Sequence, residues 1–396
     1  MDGLGIYLLL LLAIACGWLL GRVRRSSRRK RRPSHDVFSD YFVGLNYLLN
    51  DEPDEAIDTF INSLEATGDT PETHLALGAL LRRRGKVDKA IKVHQALLAR
   101  PDVSREFSDS TRLQLATDYI SAGLLDRAER LLNDLLNEDT PAKWDALRHL
   151  ITIYQTEKEW ENAIACSTRL LTNSAFKRDA ELRTAAAHYC CELAELRIAQ
   201  NQYQAAKDQA RRAFTFDRKH RRASMILVKV EHHFGNYAAA LKELARIQSS
   251  SPEFTSQLLP QFEACYRHLG RMADYELLLH KFSQQVADVK LVLALAELKQ
   301  SLYGNAAAAE FLAEKLREQP NLAAIVELLR LQAVDATITP DSATIELLQQ
   351  VVHKMQQRKA AFRCHHCGYE SRNLYWLCPS CKVWDKSKPI TESDKT

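Results

Sequence analysis

Glycine is scarce in this chain, at 13 of 396 residues, and few runs are rich in β-branched or aromatic residues, so a body built from sheets is excluded. No phosphate-cradling glycine loop, nucleophile elbow or paired-histidine zinc motif occurs, and the chain reads as a non-enzyme. A basic body is lacking too. Residues 22 to 32 carry eight of the 54 Lys and Arg and no acid, which leaves 46 basic residues against 50 acidic ones elsewhere. A body of that sign does not attract a phosphate backbone, so nucleic acid is not among the expected partners.

What is present is Leu, Ala, Glu, Gln, Arg and Lys, with apolar residues at three-and-four spacing, the pattern of an all-α fold. The chain is organised around residues 227 to 252. Gly235 marks a turn, Ala240 follows five residues later where two helices approach closely, Leu244 comes four after that, and Pro252 closes the second helix. The glycine returns as Gly270 and Gly304, and upstream Gly85 precedes Ala90 and Gly123 precedes Ala128 by the same five residues. This pattern resembles the tetratricopeptide repeat, a helical pair of 34 residues. Units are expected near residues 37 to 69, 71 to 101, 110 to 140, 144 to 173, 187 to 218, 221 to 252, 256 to 286 and 290 to 320. The first holds Gly44, Tyr47, Ala56 and Phe60 in register; the fourth and fifth, around Ala163 and Ala206, are degenerate. A single pair cannot bury its apolar face, so the units should stack into a superhelix whose long concave surface binds other proteins.

Residues 3 to 21 contain no charge and as a helix would span roughly 28 Å, near the thickness of bilayer hydrocarbon. Only Met1 and Asp2 precede this run, whereas Arg22, Arg24, Arg25, Arg28, Arg29, Lys30, Arg31 and Arg32 follow it. The positive-inside rule then places the body in the cytoplasm behind a retained single-pass anchor. A cleaved signal peptide would need a positive start, and a lipoprotein signal at Cys16 would want an early Lys or Arg. The Arg run reads as a stop-transfer flank against anionic headgroups. The expected organisation is therefore an anchor over 1–21, a basic linker over 22–36, repeats over 37–320, C-terminal helices over 321–360, a metal ribbon over 361–385 and a tail over 386–396.

Within the repeats, Cys166, Cys190, Cys191 and Cys265 have no partner at ligand spacing and read as small core residues, while His232 and His233 read as surface or groove positions. The cluster Arg211, Arg212, Arg218, Lys219, Arg221 and Arg222 is either a solvated loop or an acidic docking site. Groove positions that would hold Lys and Asn in a carboxylate clamp carry Tyr41, Leu45, Leu75, Ala79, Leu113 and Thr117 instead, which favours an apolar segment as ligand.

The strongest local motif is CHHCGYESRNLYWLCPSCK, with Cys364 and Cys367 in one CxxC and Cys378 and Cys381 in the other, ten residues apart. Two such pairs place four thiolates around one metal ion; in a reducing compartment they read as a structural ribbon, not as disulfides. Gly368 and Pro379 suit knuckle turns, and His365 and His366 read as bystanders. Zinc and iron use the same ligands, so spacing does not separate them. The insert is short for a free-standing rubredoxin, and Lys382 stands where a glycine is usual. Tyr369, Tyr375, Trp376 and Trp384 are expected to pack the ribbon onto the final helix or repeat.

Anchor, Arg-rich flank, some eight repeats and a terminal CxxCG to CPxC ribbon together resemble the lipopolysaccharide assembly protein B family of Gram-negative bacteria, over essentially the whole chain. The resemblance implies an inner-membrane adaptor facing the cytoplasm that presents a lipid A pathway deacetylase to a membrane-bound AAA protease, holds lipopolysaccharide output down, and coordinates other lipopolysaccharide synthesis and export proteins. It also implies iron at Cys364, Cys367, Cys378 and Cys381, and no catalytic residue. A repeat-type chaperone or co-receptor and a redox module are the alternatives.

Overall fold

A computed structural model describes residues 71 to 101, 103 to 285, 288 to 318, 320 to 333 and 360 to 390, with single positions at 43, 47, 59 and 350. The apolar run, its Arg-rich flank, the repeat expected over 37–69, most of the linker helix after Pro340 and the tail from 391 lie outside the described residues. Among the described residues no helix is long and apolar enough to cross a membrane.

The body is all helix, as the three-and-four spacing requires. Seven helical pairs are described: α1 (Pro71–Arg83) with α2 (Val87–Leu98), α3 (Arg105–Ser121) with α4 (Leu125–Asn137), α5 (Lys143–Glu157) with α6 (Trp160–Leu170), α7 (Ala180–Ala199) with α8 (Tyr203–Phe216), α9 (Arg221–His233) with α10 (Tyr237–Ser250), α11 (Thr255–His268) with α12 (Met272–Gln285), and α13 (Val289–Tyr303) with α14 (Asn305–Glu318). Then comes α15 (Leu322–Ala333). The chain divides into two compact units, Met1–Ile153 and Tyr154–Thr396, the boundary falling inside α5. The fourth of these pairs, which is the repeat expected over 187–218, starts at Ala180, earlier than the repeat spacing places it, because Asp179 caps the helix by accepting from the Leu182 amide at 3.0 Å.

Six of the seven turns share one backbone solution. At Gly235 the chain enters the left-handed region (φ 72°); its amide donates to His232 O and the next amide, Asn236, reaches back to Glu231 O, which satisfies two orphan carbonyls of α9. Gly85, Gly123 and Gly270 repeat this pattern. In the two degenerate repeats, Lys158 (φ 61°) and Asn201 (φ 60°) adopt the same conformation with the same two hydrogen bonds, Glu159 to Tyr154 O and Gln202 to Arg197 O closing the outer one. The alanine five residues on is fully buried in both, as Ala163 and Ala206, just as Ala90, Ala128 and Ala240 are. These repeats are irregular in sequence and regular in shape. Gly304 differs: its backbone is at φ 88° and ψ 176°, α14 begins at the next residue, and the buried alanine comes one position early at Ala308.

In the first unit, a polar tie crosses three helices. Asp118 of α3 is fully buried, accepts from Arg82 of α1 at 2.6 Å and faces His94 Nδ1 of α2 at 2.5 Å. Gly78 permits this, since a Cβ there would stand 2.2 Å from His94 Nε2. In the second unit, α9 to α13 close over a continuous apolar core that includes Leu244, Leu258, Phe262, Tyr275, Leu279 and Leu295.

Candidate metal centre

After the helices the pattern changes to short strands and tight turns. β1 (Phe362–Cys364), β2 (Glu370–Ser371) and β3 (Ser387–Pro389) form an antiparallel sheet in the order β2-β1-β3. The sheet runs through Pro389, four residues past the bound suggested by the cysteine motif.

Each CxxC lies in a knuckle of the same construction. In the first, the Gly368 amide donates to Cys364 O at 2.8 Å and the Cys364 amide to Tyr369 O at 2.8 Å; in the second, Lys382 donates to Cys378 O at 2.9 Å and Cys378 to Val383 O at 3.1 Å. Lys382, at φ 57°, takes the left-handed conformation of Gly368, at φ 78°. The missing glycine therefore leaves the second knuckle intact.

The knuckles bring all four sulfurs within 4.8 Å of one another. Cys364 Sγ lies 3.8 Å from Cys381 Sγ, and Cys367 Sγ lies 3.7 Å from Cys378 Sγ. A tetrahedron with metal–sulfur bonds of about 2.3 Å has edges of about 3.8 Å, so the set fits one ion. Among the described residues no other group of His, Cys, Asp or Glu is placed to hold a metal. The Tyr369 amide aims at Cys367 and lowers its thiol to about 6, whereas desolvation and its three sulfur neighbours push Cys381 up to about 12. Four sulfurs this close ionise together only around a cation.

The ribbon is seated on the repeats through Trp384, which is 9% exposed. Its Nε1 donates to Gln155 Oε1 of α5 at 3.1 Å, and the Tyr189 hydroxyl donates to the same oxygen at 2.8 Å. Arg221, at the start of α9, pairs with Asp385 at 2.5 Å, donates to Ser251 Oγ at 3.1 Å and covers the Phe254 ring at 4.0 Å. Lys388 of β3 reaches Glu253 at 3.2 Å. Arg222 turns to Glu192 and Glu195 of α7, at 2.8 and 2.9 Å.

Two expectations are corrected here. Among the described residues the ribbon packs not on the last repeat but on α5, α7 and α9, and of the four aromatics only the tryptophans take part, Tyr369 and Tyr375 being 40% and 39% exposed; most of the final helix lies outside the described residues. Nor is the basic cluster one solvated loop. Arg221 and Arg222 are buried and paired, while Arg211, Arg212, Arg218 and Lys219 stay exposed. No local pattern points to this seat, because Arg221 and Asp385 are 164 residues apart in sequence.

Among the described residues the remaining candidates belong to no group placed to hold a metal. Burial pushes the Cys190 thiol up to about 11 and Cys191 well above the usual range, as for inert core residues. His233 stacks on Tyr203 and His232 meets Tyr237 edge-on. Thr117 spends its hydroxyl on Leu113 O of its own helix; Tyr41 and Leu45 lie outside the described residues.

Comparison with known proteins places these parts in a family context. Residues 362–386 match the rubredoxin metal binding domain, and residues 191–253 match a tetratricopeptide repeat. Lipopolysaccharide assembly protein B from Escherichia coli K12 is 32% identical over 98% of each chain. The protein of the same name from Haemophilus influenzae is 30% identical, again over 98% of each.

Proposed function

Because the chain belongs to the lipopolysaccharide assembly protein B family, we propose that it is a non-enzymatic adaptor of the bacterial inner membrane that regulates lipopolysaccharide synthesis. Residues 3 to 21 anchor it as a single-pass helix, and the Arg run behind them holds the body on the cytoplasmic side. The repeats present the lipid A pathway deacetylase to the membrane-bound AAA protease and meet other proteins of lipopolysaccharide synthesis and export. Whole-length similarity carries this reading. Helical repeats alone occur with many functions, but repeats joined to a four-cysteine ribbon, matched end to end with two relatives, confine the choice.

Cys364, Cys367, Cys378 and Cys381 are the ligands of one ion in this reading, iron by family resemblance and zinc on equal geometric terms. Four protein thiolates leave no open coordination position, so the ion supplies cross-linking of two knuckles. The residues around it serve docking. Gln155, His188 and Arg221 hold the loaded ribbon to α5, α7 and α9.

The experiment is the half-life of the deacetylase in cells depleted of this protein. It should lengthen several-fold and return to normal when the full chain is restored. An unchanged half-life would overturn the adaptor reading.

A further inference from the structure

Between α9 and α11 an open groove runs up to the ribbon. Its floor is apolar, with Leu244 and Leu258 almost fully buried, and Met225 forms part of one wall. Trp376 is the residue that the ribbon contributes. The repeats hold that ring in place: it lies 5.8 Å from His188, 5.4 Å from the Arg221 guanidinium and 5.9 Å from that of Arg222. The groove is thus composite, with a floor from the repeats and an aromatic wall from the ribbon.

Charge says what fits. Arg222 and Glu195, both on the lining, meet in a two-pronged pair at 2.9 and 3.1 Å, and Glu192 takes the remaining prong of the guanidinium at 2.8 Å, so Arg222 has no free charge to offer a ligand. Lys229 is exposed on the same lining and makes no ion pair among the described residues. An apolar slot with one exposed, unpaired cation complements an apolar side chain next to a carboxylate.

We infer that this groove docks a segment of a partner protein that sets a large apolar side chain against Trp376 and Met225 and a carboxylate beside Lys229, and that the metal ion controls the docking by keeping Trp376 seated. The inference rests on the adaptor reading and adds the surface and the chemistry of the partner segment. Metal and peptide are linked because a ribbon this small folds only around its ion, and an unfolded ribbon cannot present Trp376.

The test is selection from a random twelve-residue display library against the metal-loaded full chain in nanodiscs. Enriched peptides are then synthesised, and their affinities measured by fluorescence anisotropy. The enriched sequences should share a Leu, Ile, Phe or Met next to Asp or Glu. Met225→Arg and Trp376→Ala should each weaken binding at least tenfold, Trp376→Phe should restore most of it, and Lys229→Glu should shift the preference from acidic to basic neighbours. Stripping the metal should match Trp376→Ala, with recovery on adding either zinc or iron. No enrichment, a consensus without the acidic neighbour, or affinities indifferent to both Met225→Arg and metal removal would overturn the inference. Deacetylase half-life in cells separates the two claims. If turnover still depends on the chain while the groove binds nothing, the groove assignment falls and the adaptor reading stands; if peptides bind as described but turnover ignores the chain, the reverse holds.

Discussion

Trp384 lies flat on His188, with ring centroids 4.6 Å apart and planes 17° from parallel. His220 meets the same ring edge-on at 4.3 Å, and neither nitrogen of His188 has a hydrogen-bond partner among the described residues. His188 therefore serves the seat as a flat apolar surface. Burial above all, and then the nearby His220, Arg222 and Arg221, hold its imidazole well below the usual histidine range.

A pH dependence follows. The folded chain refuses a proton that the unfolded chain accepts below about pH 6.5, so the stability linked to His188 is complete above that pH and is lost as pH falls below it, by up to ~1.4 kcal/mol per pH unit. His188→Phe keeps the stack and removes the titration. Urea unfolding at pH 7.5 and 5.5 should show the parent losing more stability than His188→Phe between the two; equal losses would assign the seat's pH response elsewhere.

Lys158 pays for a conformation that glycine adopts freely. A side chain in the left-handed region costs roughly 1–2 kcal/mol, part of which glycine returns through the greater freedom of the unfolded chain. Lys158→Gly should raise stability by about 0.5–1 kcal/mol with helicity unchanged, measured by thermal unfolding. A lowered melting temperature would mean that the lysine side chain contributes something the turn geometry does not reveal.

In the first unit, Asp118→Ala should cost about 1–3 kcal/mol, because it removes the buried carboxylate that joins Arg82 to His94 and leaves the guanidinium to Gln114 alone. Gly78→Ala should act in the same direction by displacing the His94 ring. Hydrogen exchange would show the loss as faster exchange in α1, α2 and α3. Protection equal to the parent in Asp118→Ala would show the tie to be dispensable.

The parts legible from sequence are those whose cause is local. A turn that must become left-handed selects glycine, and a close helix crossing selects alanine, so the five-residue spacing of Gly235 and Ala240 reappears in the structure as a turn and a fully buried contact. The paired CxxC motifs are equally local, since each knuckle closes within five residues. Lys158 and Asn201 escaped because a lysine or asparagine in sequence does not reveal a positive φ that neighbouring packing enforces. The seat of the ribbon escaped for another reason. Gln155, His188 and Arg221 meet Trp384 and Asp385 only after the chain has folded back across more than 160 residues, and although Trp384 reads as a packing residue, nothing in its own segment says against which helices. Arg221 looked like part of a basic surface because its acid partner is so distant.

The central claim is that the metal holds the ribbon in shape and the ribbon serves the adaptor through its seat, with no electron transferred. Purified full chain loaded with zinc alone, compared with the iron-loaded protein for stimulating deacetylase turnover by the reconstituted membrane protease, tests it most directly. Zinc holds the same tetrahedron and has no redox chemistry, so equal stimulation is the expected result. Full stimulation with iron and none with zinc would contradict it.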